Sequence, residues 1–172
     1  MAITATTTHR ASGMVTIHAA QRALQLHLEW AVGRALGAST GFSFEWETQP
    51  AAPGTFRATS AWEGGLGTGA TLASALREWE IPFEVTESSR DGLGVHYMAT
   101  PELGLFTGTT DHAGSVVVDE HRIHLAFAKH AGDADGLAEE FGRLLGVPWD
   151  NELEQFRHAQ DFSRTIWMDR AV

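Results

Sequence analysis

The sequence predicts an α+β fold that begins with a ferredoxin-like half, β-α-β-β-α-β, and continues into a strand hairpin and a helical extension. Apolar and polar residues alternate over 42–48 and again over 55–62, which indicates half-buried strands, and turn-forming residues join the two runs into a hairpin. Helices are predicted where apolar residues recur every three or four positions. These predicted helices cover 20–36 and 68–79, and the two outer strands cover 14–18 and 82–87.

The second half shows more strand-like runs and then helices. The runs cover 95–100, 105–110 and 115–118. Residues 120–129 fit either element, because Ile123, Leu125 and Phe127 alternate like a strand while Ile123 and Phe127 also lie four apart. Asp119 is a candidate N-cap, so a helix is favoured. A helix around 137–145 should end at Gly146, and Asp150 should cap a short last helix.

These elements predict one α+β domain over 13–158, with a ferredoxin-like half at 13–88 and a strand-and-helix extension at 89–158. The polar loop 88–94 is the expected internal boundary. Residues 1–12 are expected to be a disordered leader, and 159–172 a C-terminal tail. The tail is polar apart from three apolar residues at 166–168, which are expected to dock onto the domain.

The amino-acid composition argues against several classes of partner and of chemical site. Lys and Arg number 12 against 22 Asp and Glu, a net charge of −10, which disfavours nucleic acid and anionic membranes as partners. The absence of cysteine excludes disulfides, thiol nucleophiles and cysteine-ligated metals. Neither a secretory signal nor a long apolar span is recognisable, so a soluble, intracellular protein is expected.

One local motif has a defined physical use, the glycine-rich turn 64–69 between a strand and a helix. Its backbone N–H groups could bind a phosphate or carboxylate, with Gly65, Gly67, Thr68 and Gly69 as the candidate residues. The turn matches neither the dinucleotide-binding fingerprint nor the P-loop, which needs a lysine. A tight structural turn in which the Thr68 hydroxyl caps the helix is the alternative, and we expect the structural role.

Other polar groups give weaker signals. His121 and His124 could share a metal, but we expect them to be ordinary histidines on a solvent-exposed helix face. Several polar residues should lie on the sheet face away from the two helices, where acid–base chemistry or simple solvation are the alternatives. They are His18, Glu45, Glu47, Arg57, Thr59, Glu84 and Thr86. No complete catalytic set and no metal or cofactor site is predicted.

Several motifs together resemble an actinobacterial family of unknown function, over about residues 13–158. They are 13–19, 27–31, Trp46 with 49–54, 67–70 with 72–76, 83–87, 101–105, 145–150, 152–154 and 156–157. The resemblance implies a cytoplasmic actinobacterial protein. It implies no activity, substrate or catalytic residue.

We therefore expect a non-enzymatic regulatory or adaptor module that binds a protein or a small anionic metabolite. The alternatives are an enzyme that acts on a phosphorylated small molecule at the turn 64–69, and a structural subunit of a larger assembly. The sequence leaves the oligomeric state open.

Overall fold

The computed structural model describes residues 10–38, 41–89 and 92–157, and shows one antiparallel sheet of seven strands in the order β2-β3-β1-β4-β5-β6-β7. The strands are β1 Arg10–Gln21, β2 Glu47–Thr48, β3 Thr55–Gly65, β4 Phe83–Ser89, β5 Gly94–Thr100, β6 Gly104–Thr110 and β7 Val116–Val117. The helices are α1 Gln25–Ala35, α2 Thr68–Arg77, α3 Glu120–Lys129, α4 Ala134–Leu145 and a fifth, α5, at 147–157. The predicted α+β class is confirmed.

The main core lies between one face of the sheet and helices α1 and α2. Val15 and Ile17 of β1 and Phe83 and Val85 of β4 are fully buried on this face, as their period of two predicts. Leu72 on α2 packs against the same cluster. The apolar periodicity predicted for 68–79 therefore meets the sheet where expected. That predicted for 20–36 is only partly confirmed, because Ala23 and His27 are exposed and Ala20 belongs to β1.

The opposite face carries a smaller core beneath α5. Met98 and Phe106 from neighbouring strands surround the buried Leu153 of α5. Gly146 ends α4 with φ 83°, and a Cβ there would lie 2.6 Å from the Met98 side chain. Glycine is thus required for both the backbone conformation and the close approach.

The strand predicted at 42–48 is wrong for most of its length, since only Glu47 and Thr48 pair with β3. The side chains still alternate, with Phe44 buried and its neighbours Ser43 and Glu45 exposed. The backbone leaves the sheet because Glu29 of α1 binds it. The Glu29 Oε1 accepts hydrogen bonds from Phe44 N at 2.9 Å and from Trp46 Nε1 at 2.9 Å.

Other boundaries differ from the predictions in informative ways. Strand β1 begins at Arg10, so residues 10–12 of the expected leader belong to the sheet; 1–9 lie outside the described residues. Strands β4 and β5 pair across the predicted boundary 88–94, which joins both halves in one sheet. The tail residues 166–168 lie outside the described residues as well.

Helix α3 confirms the helical reading of 120–129, and the Asp119 carboxylate caps it by accepting from Arg122 N at 3.0 Å. Asp150 does not cap the last helix, because α5 begins at Val147 and places Asp150 within it. In the described part of the chain, none of the helices is sufficiently long and apolar to cross a membrane.

Candidate functional site

The glycine-rich turn holds a carboxylate of the chain itself. Gly67 N donates to Glu87 Oε1 at 2.8 Å, and Gly69 N donates to Glu87 Oε2 at 2.6 Å. Glu87 lies on β4 beneath α2 and is only 6% exposed. The N–H groups of Gly67 and Gly69, which have no partner within the helix, therefore bind an internal carboxylate. An external phosphate would bind at the same groups.

The four predicted turn residues have different roles. Gly67 is the N-cap of α2, with φ 87°, and Thr68 is the first helical residue, so the predicted cap by the Thr68 hydroxyl is wrong. A Cβ on Gly69 would lie 2.9 Å from Glu87 Oε2, which explains the glycine there. Gly65 ends β3 opposite Arg10 and makes no bond to Glu87.

A second carboxylate, Glu84, lies on the other face of β4 at the centre of a polar cluster. His18 Nε2 lies 2.7 Å from Glu84 Oε2, and His96 Nε2 lies 3.1 Å from Glu84 Oε1. Arg157 of α5 donates to both oxygens, through Nε at 3.2 Å and through Nη2. Strands β1, β4 and β5 and helix α5 thus converge on one carboxylate.

Arg157 also connects this cluster to the acidic face of its own helix. Its Nη1 donates to Asp150 Oδ1 at 3.0 Å and to Glu154 Oε2 at 3.2 Å. Burial lowers the pKa of Arg157, but the bonds to Glu84 and Asp150 outweigh burial and raise it. The guanidinium remains charged and fixes α5 against the sheet.

Glu84 is not suited to act as a general base. Burial alone would raise its pKa, but hydrogen bonds from His18, His96 and Arg157 outweigh burial and hold the pKa well below its usual range. A general base works best with a pKa near the working pH. Glu84 is therefore a permanently charged structural ligand at neutral pH.

An open cleft of about 540 Å³ adjoins this cluster. Its wall combines the polar groups of the cluster with small and apolar residues. The lining is Met14, Thr16, Glu84, Thr86, His96, Gly114, Val116, Asp150 and Arg157. Arg157, the arginine in this lining, is already paired with Glu84 and Asp150. Among the residues described, the cleft therefore has no unpaired arginine or lysine that could bind an incoming anion.

The structure brings together only part of the predicted polar face. His18, Glu84 and Thr86 lie in or beside the cluster, whereas Arg57 pairs with the exposed Glu47 at 2.9 Å elsewhere on the sheet. Thr59 bonds to the Thr16 hydroxyl at 3.2 Å. Glu45 is exposed and takes no part in the cluster.

Sequence reasoning missed His96, Arg157 and Glu87. A signal existed for Glu87, because alternation places it on the same buried face as Phe83 and Val85, and a buried carboxylate needs donors. His96 and Arg157 gave no comparable signal, since their partner Glu84 is 12 and 73 residues away.

The histidines of α3 do not form a shared site. His124 pairs with Glu120 on the helix surface at 3.3 Å. His130 approaches Asp133 and Glu140, at 3.8 and 3.6 Å. Within 10–38, 41–89 and 92–157, no group of three or more His, Cys, Asp or Glu residues is arranged to hold a metal ion.

Helices α3 and α4 form a hairpin whose large apolar residues are exposed or half-buried in the described part of the chain. Phe127 and Phe141 meet edge to face with ring centres 5.7 Å apart, and Lys129 Nζ bonds Glu140 at 2.9 Å. No residue of α4 is buried, although its apolar residues form one stripe. We call a set of apolar residues of α3 and α4, together with Val147 at the start of α5, the α3–α4 surface. It consists of the exposed Phe127, Leu145 and Val147 and the half-buried Ile123, Leu137, Phe141 and Leu144.

Comparison with known proteins places the chain in a family without adding a function. No curated protein matches it, and no solved structure matches it. The model of the family described as "Protein of unknown function (DUF3145)" matches residues 14–170 of the 172. The chain belongs to this family of proteins of unknown function.

Proposed function

We propose that the protein is a non-enzymatic, intracellular adaptor or regulatory module that binds a protein partner through the α3–α4 surface. The observation that carries the proposal is the exposure of this surface. Phe127 is 52% exposed and Leu145 43%, on a helix pair that among the described elements packs chiefly on itself. Val147, at the start of α5, is 42% exposed. Several exposed apolar residues on neighbouring helices are typical of interaction sites in soluble proteins.

A protein partner is preferred to a small anion because of the internal ligands. Glu87 engages the N–H groups of Gly67 and Gly69, and Glu84 engages Arg157. An anionic metabolite or a phosphorylated substrate would have to displace a buried carboxylate at either place. The α3–α4 surface needs no such displacement.

The proposal extends to fold class and origin. We assign the first half to the ferredoxin-like class, which the element order β1-α1-β2-β3-α2-β4 and the strand order β2-β3-β1-β4 support. The motif resemblance supports an actinobacterial source and a cytoplasmic location.

The test is a partner search with matched surface variants of the full chain. Leu145→Glu places a charge in the α3–α4 surface, and Leu26→Glu places one on α1, where Leu26 is 78% exposed. Each protein is used as bait in cells of the source organism, and each captured protein is then purified and titrated against the three baits by calorimetry.

We expect one partner that binds wild type and Leu26→Glu equally and loses at least about tenfold in affinity with Leu145→Glu. Circular dichroism and thermal unfolding check that both variants fold. A set of partners that all bind Leu145→Glu as tightly as wild type would refute the α3–α4 surface as the site.

A further inference from the structure

Among the described residues, strand β3 has a long edge without a neighbouring strand. Strand β2 pairs only with Phe56 and Arg57, whereas β3 continues to Gly65 with β1 on its other side. The order of the sheet places no other described strand next to residues 58–65. An edge of this kind carries unpaired backbone donors and acceptors.

The backbone groups that face this edge can be identified. Gln49 N donates to Thr55 O at 3.0 Å, so the peptide groups of Thr55 point toward β2. Backbone direction alternates along a strand, so Thr59, Ala61 and Glu63 point to the same side. All three are exposed, and within the described ranges their N–H and C=O groups have no backbone partner on that side, although Ala61 O accepts from the Ser60 hydroxyl at 3.2 Å.

The segment before β2 does not pair with this edge. Residues 41–46 instead contact α1, where the Glu29 carboxylate accepts from Phe44 N and Trp46 Nε1, each at 2.9 Å. The usual protections of an edge, proline and lysine, are absent from residues 58–65. The contact with α1 thus holds this segment beside the helix rather than along β3.

We propose that this edge binds an extended, basic peptide segment of a partner protein as an added strand. The backbone groups of Thr59, Ala61 and Glu63 supply the hydrogen bonds. Glu63 is exposed on the edge strand, and the chain has a net charge of −10, so lysine and arginine side chains complement it. The same charge opposes pairing of β3 with a second copy of the chain. This site is separate from the α3–α4 surface and does not depend on it.

The test uses a phage-displayed library of random short peptides selected on the full chain. An enriched peptide is synthesised and titrated against wild type, Ala61→Pro and Ala61→Thr. Proline removes the N–H that faces the open edge and leaves the bonds to β1 intact, so the variant should fold. Threonine keeps the N–H and is the control.

We expect basic peptides that bind wild type and Ala61→Thr alike and lose about tenfold or more with Ala61→Pro. Bound peptide should slow hydrogen exchange at Thr59, Ala61 and Glu63, and Glu63→Gln should weaken binding and reduce its salt dependence. Equal binding by Ala61→Pro, no enriched peptide, or a wild-type dimer that Ala61→Pro abolishes would each overturn the proposal. Loss of the α3–α4 partner would not affect this result.

Discussion

Strand β4 carries two glutamates on opposite faces of the sheet, and each carboxylate, largely removed from water, must find hydrogen-bond donors inside the protein. Glu87 points under α2 and is satisfied by backbone N–H groups of Gly67 and Gly69. Glu84 points toward α5 and is satisfied by side chains, those of His18, His96 and Arg157. Each carboxylate attaches a helix to the sheet, α2 in one case and α5 in the other.

The difference lies in where the donors come from. The donors of Glu87 belong to one turn, 18 to 20 residues away, and any helix N-terminus supplies them. The donors of Glu84 come from 12, 66 and 73 residues away and meet only in the finished fold. Charged groups of both signs leave water at Glu84, whereas Glu87 meets neutral dipoles, so removing Glu84 should cost more.

The largest effect is expected for Glu84→Ala, because the change leaves Arg157 and His18 without their partner. The free energy of unfolding should fall by about 3 kcal/mol, measured by urea denaturation. Glu47→Ala is the matched control, since Glu47 also pairs with an arginine on a strand but is 69% exposed. The control should lose no more than about 1 kcal/mol. Equal losses in both variants would contradict the structural role of Glu84.

The acid side of the stability curve should also depend on Glu84. Its pKa in the folded protein lies well below the usual value, so its contribution is complete above the unfolded pKa of about 4.3 and is lost as pH falls toward the folded pKa. Glu84→Gln should therefore be less stable than wild type at pH 7, and the difference should shrink between about pH 4.5 and 3. A constant difference over this range would show that the Glu84 charge is not the cause.

A smaller loss is expected for Glu87→Ala, about 2 kcal/mol, because two N–H groups near the start of α2 lose their acceptor. Thr68→Ala is the matched control in the same turn. Thr68 makes no cap bond, so this change should cost no more than about 0.5 kcal/mol. A larger loss for Thr68→Ala than for Glu87→Ala would restore the threonine cap and contradict the carboxylate cap.

The smallest effect is a spectroscopic one. Tyr97 is the single tyrosine, and burial and then the negative charge of Glu87 raise its pKa. Glu87→Gln removes that charge, so the tyrosinate absorbance should titrate at lower pH than in wild type. An unchanged titration would place the Glu87 carboxylate too far from Tyr97 to act on it.

Much of the fold follows from local patterns, and most of the site does not. Alternation identifies β3 and β4, and the cap at Asp119 identifies α3, because these signals involve neighbours in sequence. The strand predicted at 42–48 fails because Glu29, a residue of the preceding helix, binds its backbone.

The cluster around Glu84 was only half predictable for the same reason. Alternation places His18 and Glu84 on one face, but Arg157 arrives on α5 from the far end of the chain. The sequence offers the glycine turn as a candidate anion site but favours a structural turn capped by Thr68. The anion of the turn is Glu87, which the inward position on β4 could have indicated.

The most direct test of the internal-ligand account is the response of the glycine turn to inorganic phosphate. Thermal unfolding is followed as phosphate is added to wild type and to Glu87→Ala, with chloride at equal ionic strength as the reference. We predict no saturable shift in wild type, because Glu87 already binds Gly67 N and Gly69 N, and a saturable rise in melting temperature in Glu87→Ala, where those donors are free. Saturable stabilisation of wild type that is lost in Glu87→Ala would contradict the account.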